Sequence, residues 1–163
     1  LAPTPRRRGF GAERELARLL WRHGFAVVRG PASGARTKHV IYPDLVALYK
    51  GHIYVFEVKY RSSPSIYISS EQVGRLREFA ERAGAEPLIA VKIPRRGWYV
   101  VRLSEAKRTR NGIKIDEDVI STALTLEAFV RSVVNEKLES YIEAGGQPGK
   151  LSSPKDCETS GRE

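Results

Sequence analysis

Asp44, Glu57 and Lys59 stand at one end of two neighbouring apolar strands, where charge is costly unless it is paired or bound to a cation. The stretch DLVALYKGHIYVFEVK, residues 44–59, reads as a strand opened by Pro43-Asp44, a Lys50-Gly51 turn, and a second strand ending in Glu57-Val58-Lys59. Strand side chains alternate, so Glu57 and Lys59 share a face about 7 Å apart. Ile53 and Val55 lie on that face, while Tyr54, Phe56 and Val58 cover the other. A strand apolar on both sides belongs in the middle of a sheet, with a layer over each face.

A third carboxylate comes from the preceding helical stretch, residues 10–23, with Gly24 as its stop. At about 100° per residue, Ala12, Leu16, Leu19, Leu20 and His23 form an apolar arc, and Arg14, Arg18 and Arg22 form a stripe opposite. Glu15 lies near that stripe and can pair with its neighbours. Glu13 falls on the flank of the inward arc, where it either meets a cation or turns out to water.

Three carboxylates and a lysine at one place suit a hard divalent cation. Magnesium takes oxygen ligands, with waters and substrate phosphate completing its shell, and manganese is a natural substitute. Glu13, Asp44 and Glu57 are the candidate metal ligands. The cation would polarise a phosphoryl oxygen and lower the pKa of a bound water. Lys59 would orient that water or stabilise the developing charge. The chemistry is metal-assisted phosphodiester hydrolysis. Thiolate and imidazole sites are not supported: His23, His39 and His52 lack ligand spacing and the single Cys157 lies near the end of the chain. Neither G-x-x-x-x-G-K-[S/T] nor G-x-S-x-G occurs, which argues against an ATP-driven motor and a serine nucleophile elbow.

Glu-x-Lys on a strand is common by chance and by itself reads as a surface ion pair. Pro43-Asp44, the twelve intervening residues and the upstream Glu13 set it apart. Together they resemble the PD-(D/E)xK nuclease superfamily. Residues 9–33, GFGAERELARLLWRHGFAVVRGPAS, then PDLVA, FEVKYR, EQVGRLREFAERAGAEPLIAVKI and GWYVV, resemble archaeal Holliday-junction resolvases of the Hjc type. The resemblance covers residues 9 to 103. It implies a restriction-endonuclease-like α/β fold, a mixed central sheet flanked by helices. It also implies a homodimeric, magnesium-dependent endonuclease that recognises four-way DNA junctions by shape and nicks two opposing strands. Carried across, Glu13, Asp44 and Glu57 are metal-site carboxylates, Lys59 is the catalytic lysine, and Ser33 is an active-site loop serine. Arg14 and Arg29 match basic residues near the DNA. The alternatives are a nuclease of the same fold with another DNA target, and a non-catalytic DNA-binding module.

The positioning elements follow in order. Residues 1–9 read as a flexible basic arm, and 10–103 as the core domain: helix, strands Phe25–Arg29, 45–49 and Ile53–Lys59, helix 70–83, and strands Pro87–Ile93 and Trp98–Leu103. The capping box Ser69-x-x-Gln72 opens the second helix. Residues 30–43 form a long loop into Asp44, of a length that is often functional, and 60–69 read as a second connection. Residues 104–144 read as an extension with one helix at 125–142, and 145–163 have the composition of a disordered tail.

Net charge is +9, and residues 1–103 carry 19 Lys and Arg against 8 Asp and Glu. A field so placed fits a polyanionic partner. The candidate DNA contacts are Arg6, Arg7, Arg8, Arg14, Arg29, Arg36, Lys38, Arg61 and Tyr67, whereas Arg95 and Arg96 read as solvent-exposed turn charge. One cysteine excludes an intrachain disulfide, and no run is apolar and long enough to span a membrane, so a cytoplasmic, nucleoid-associated location is expected. Absent methionine, scarce Asn and Gln and plentiful charge fit a heat-adapted source.

Overall fold

A computed structural model describes residues 5–31, 41–61 and 63–143. Ser33, Arg36, Lys38 and the expected tail from 145 lie outside the described residues. The elements run α1 (Pro5–Arg22), β1 (Ala26–Arg29), β2 (Leu45–Tyr49), β3 (His52–Tyr60), β4 (Ile66–Ser69), α2 (Ser70–Ala83), β5 (Glu86–Ile93), β6 (Gly97–Arg102), β7 (Lys107–Thr109), β8 (Gly112–Ile115), α3 (Glu117–Thr122), β9 (Leu124–Thr125) and α4 (Leu126–Glu143).

The hairpin β2–β3 closes on Lys50 (φ 43°) and Gly51 (φ 86°). Positive φ at both central residues matches the right-handed twist of the flanking strands. β3 lies inside a six-stranded sheet ordered β1-β2-β3-β5-β6-β9, antiparallel to β2 and parallel to β5. Both faces of β3 are therefore covered, as its apolar pattern requires. On one face Tyr54, Phe56 and Val58 pack with Leu16 and Leu20 of α1 and Phe129 of α4. On the other, Val55 meets Leu76 and Ala80 of α2. Leu16 and Leu20 are fully buried, and each contributes about 1.5–3 kcal/mol by leaving water. Replacing Leu16 by Ala would cost about 2–5 kcal/mol and loosen the helix that carries Glu13.

Two boundaries differ from expectation. The first helix starts at Pro5, so Arg6, Arg7 and Arg8 belong to its opening turns and not to a flexible arm. Proline suits that first helical position because its missing N–H would have no partner there anyway. Residues 104–125 hold more than the single-helix extension allowed: β7 and β8 join β4 in a second sheet ordered β4-β8-β7, followed by α3 and β9. This sheet and α3 bury Ile68, Ile113, Ile115 and Ile120 against Ile89, Val91 and Val101 of the main sheet. Strands of three or four residues show too few alternations to declare a period. Their pairing is also remote in sequence, with Ile66 opposite Ile115.

Candidate active site

Continuing the Leu45↔Phe56 register by one step sets Asp44 opposite Glu57. Directly opposed residues on neighbouring strands have Cβ atoms about 5 Å apart. Asp44 Oδ2 accepts from the Val58 backbone N–H at 2.8 Å. The Lys59 ammonium donates to Glu57 Oε1 at 2.6 Å, and Gln72 Nε2 on α2 donates to the same oxygen at 3.3 Å. Three of the expected residues are thus one cluster, on the sheet face under α2.

The loop strand that delivers Asp44 is clamped to β1. The Gly30 N–H donates to the Asp44 carbonyl at 3.0 Å. A Cβ on residue 30 would stand 2.2 Å from the Pro43 carbonyl oxygen, so only glycine permits this approach.

Glu13 takes a different partner. Its Oε2 accepts from the Arg29 guanidinium at 3.1 Å. Its helix packs on the opposite sheet face from Glu57. Among the described residues no three His, Cys, Asp or Glu groups are gathered as a metal site. The three-carboxylate cage expected from the sequence is therefore not assembled: Arg29, one strand over, holds the third carboxylate. Glu13 still acts on the cluster through its charge. Burial first, then the neighbouring Glu57 carboxylate and, more weakly, Glu13, push the Asp44 pKa up to about 6, against the opposing pull of the Val58 N–H and Lys59. A partly buried site with negative charge to spare fits a divalent cation held by Asp44 and Glu57. Magnesium commonly binds through one or two carboxylates with waters and phosphate, not in an all-protein cage.

The basic residues divide. Arg14 and Arg29 are exposed, as is Tyr67 at 68% on β4. Arg6, Arg7 and Arg8 lie on the opening turns of α1. Arg61, expected to face DNA, is only 8% exposed. It donates to the Ser63 and Pro64 carbonyls and to Glu117 Oε2 of α3, and so ties the β3–β4 connection to the second sheet layer. Glu15, expected to pair along its own helix, accepts from Lys92 and from the Trp98 indole and locks α1 to β5 and β6. Burial raises its pKa, but those two hydrogen bonds and the charge of Lys92 outweigh it and the net shift is downward.

Gln72 was legible only as a helix cap. Its reach to Glu57 had a signal in the sequence, since a capping-box glutamine right after the strand that follows Lys59 has an amide left over. The helix's place under β3 had to be known before that amide could be aimed.

The profile of the family described as archaeal Holliday junction resolvase (Hjc) matches residues 4–138. The chain belongs to the Hjc family. The match extends past the expected limit of residue 103 and takes in the second sheet, α3 and most of α4. Among Hjc relatives, the crossover junction endodeoxyribonuclease of Sulfurisphaera tokodaii is 36% identical over 140 residues, covering 83% of this chain and 96% of its own. That of Methanocaldococcus jannaschii is 42% identical over 136 residues, covering 83% and 96%. The solved structure of Archaeoglobus fulgidus Hjc, a Holliday junction resolvase, superposes with a TM-score of 0.68 at 33% identity, covering 76% of this chain and 95% of that one. The Hjc fold, a mixed α/β sheet flanked by helices, is the fold seen here. Among the described residues no helix is long and apolar enough to cross a membrane.

Proposed function

We propose that this Hjc-family chain is a homodimeric, magnesium-dependent endodeoxyribonuclease that resolves four-way DNA junctions by nicking opposing strands. The observation that carries the reading is the cluster of Asp44 opposite Glu57 with the Lys59 ammonium on Glu57. Family membership supports the substrate. Its place of action is then the cytoplasm, at the nucleoid.

Asp44 and Glu57 would hold the cation, with Mn2+ able to replace Mg2+, and Glu13 stands by to add its charge. When bound, the cation supplies Lewis acidity at the scissile phosphate and a more acidic water. Asp44 must be ionised to bind it. With its pKa pushed up to about 6 it is mostly ionised at neutral pH, although it holds its proton more tightly than an ordinary carboxylate. Lys59 has three N–H donors, of which Glu57 takes one; the others are available to a phosphate oxygen as charge builds. Gln72 and Lys59 together fix the Glu57 carboxylate. Arg14, Arg29 and the arginines of the first α1 turns would take backbone phosphates, which suits recognition by shape more than by sequence. Paired nicks need two such sites, and a twofold dimer provides them.

The deciding experiment compares nicking of a synthetic immobile junction, a flap and a linear duplex under one magnesium and salt condition. Junction-selective nicks are expected, lost in Asp44→Ala and Glu57→Ala while junction binding persists. Equal cutting of all three substrates would assign the fold another DNA target. Binding with no magnesium-dependent product would leave a non-catalytic module.

A further inference from the structure

Away from the carboxylates, α1 and β1 enclose a groove of about 530 Å3 lined by Ala17, Arg18, Trp21, Arg22, Val27 and Arg29. Trp21 is 67% exposed there, and no carboxylate lines the groove. The combination is specific. A lone exposed apolar side chain needs no explanation, but a large aromatic ring in a mostly apolar groove bordered by three exposed arginines has the features of sites that hold single-stranded nucleic acid. In such sites the cations follow phosphates and the ring stacks on a base. The groove lies on the α1 side of the sheet, opposite the Asp44–Glu57–Lys59 cluster, and Arg29 in its wall also holds Glu13 at 3.1 Å.

We propose that this groove is a subsite for one unstacked nucleotide of the branched DNA, its base on the Trp21 indole and its flanking phosphates on Arg18, Arg22 and Arg29. The inference rests on the junction-cleaving reading: at an opened branch point the terminal base pairs lose a stacking neighbour, so a base there is the least costly to extrude. A second copy of the chain is a poor occupant: self-apposition about a twofold axis would set arginines against arginines. An acidic peptide would match the charge, but a carboxylate gives the exposed Trp21 indole no ring to stack on.

The chain has two tryptophans, and Trp98 is buried with its indole N–H on Glu15. Trp21 is therefore the accessible fluorophore. The full chain, in chelator to prevent cleavage, is titrated with a labelled immobile junction, an oligothymidine and a linear duplex, reading label anisotropy for binding and indole emission for stacking. Junction and single strand are expected to quench emission. Trp21→Phe should lose that signal and keep affinity, because a ring remains. Trp21→Leu, apolar without a ring, should bind junction about tenfold more weakly with its thermal unfolding unchanged. The proposal is overturned if junction binds fully while emission stays constant, or if Trp21→Leu binds as tightly as the parent; the junction-cleaving reading survives either result. Quenching by a Trp-free Glu- and Leu-rich peptide but not by DNA would give the groove to an acidic partner. An emission change with protein concentration alone would give it to a second copy. Both overturn the proposal. Failure to bind any DNA sinks it together with the reading it rests on.

Discussion

The Gln72 side chain serves two elements at once: its amide donates to Glu57 Oε1 at 3.3 Å while its oxygen accepts from the Ser69 N–H that opens α2. Glutamate would satisfy the cap but replace the donor with a second negative charge facing Glu57. Gln72→Glu is expected to unfold close to the parent temperature and to lose tenfold or more in single-turnover nicking, roughly the scale for a residue that orients a metal ligand. Ser69→Ala should show the reverse, a loss of about 1 kcal/mol with turnover kept. Parent-like nicking by Gln72→Glu would remove the positioning role.

Asp44 makes the fold sensitive to pH. Its folded-state pKa of about 6 lies above the ordinary 3.8, so the folded state holds its proton more tightly and stability falls as pH rises through that window. In metal-free buffer Asp44→Asn should therefore gain on the parent above pH 6, by at most about 3 kcal/mol, with no difference below the ordinary carboxylate pKa. The Val58 N–H keeps an acceptor in the variant. Added magnesium should reverse the ranking, because only the ionised parent binds it well. Calorimetric titration of the parent should show cation affinity weakening below pH 6. Flat affinity from pH 7 to 5 would mean Asp44 is no ligand.

Gly30→Ala tests the clamp behind Asp44. The new methyl would meet the Pro43 carbonyl at 2.2 Å, and separating the two segments would cost about 1–3 kcal/mol. Nicking should fall further than stability alone explains, because Asp44 moves with Pro43. Thermal melts and nicking measured on the same preparation separate the two effects, and undiminished turnover would show that the approach is dispensable.

Arg61→Ala should act on folding and not on DNA. The guanidinium is buried on two carbonyls and Glu117. Its loss leaves those acceptors unsatisfied at about 1–3 kcal/mol, while the slope of junction affinity against salt stays as in the parent. A shallower slope with unchanged stability would restore it as a phosphate contact.

Much of the site was readable from residues alone because its central part is local. Asp44, Glu57 and Lys59 belong to one hairpin, whose Lys50-Gly51 turn sets the register, and register sets who faces whom. The cap at Ser69 and Gln72 was equally plain, four residues deciding their own conformation. The second sheet was not readable, since β4 and β8 are brief and find each other across nearly fifty residues.

What the amino-acid sequence by itself determined is the short-range part: strand alternation, the turn, the cap, and a carboxylate pair with a lysine at hairpin spacing. Only the tertiary structure decided how the remaining charges are spent. Arg29 takes Glu13 from 16 residues away, Glu117 takes Arg61 from 56, and Lys92 takes Glu15 from 77. The reason is physical. Backbone geometry constrains neighbours within a turn or a pleat, whereas an ion pair forms with whatever opposite charge the packed layers bring within reach, and no local pattern records that choice.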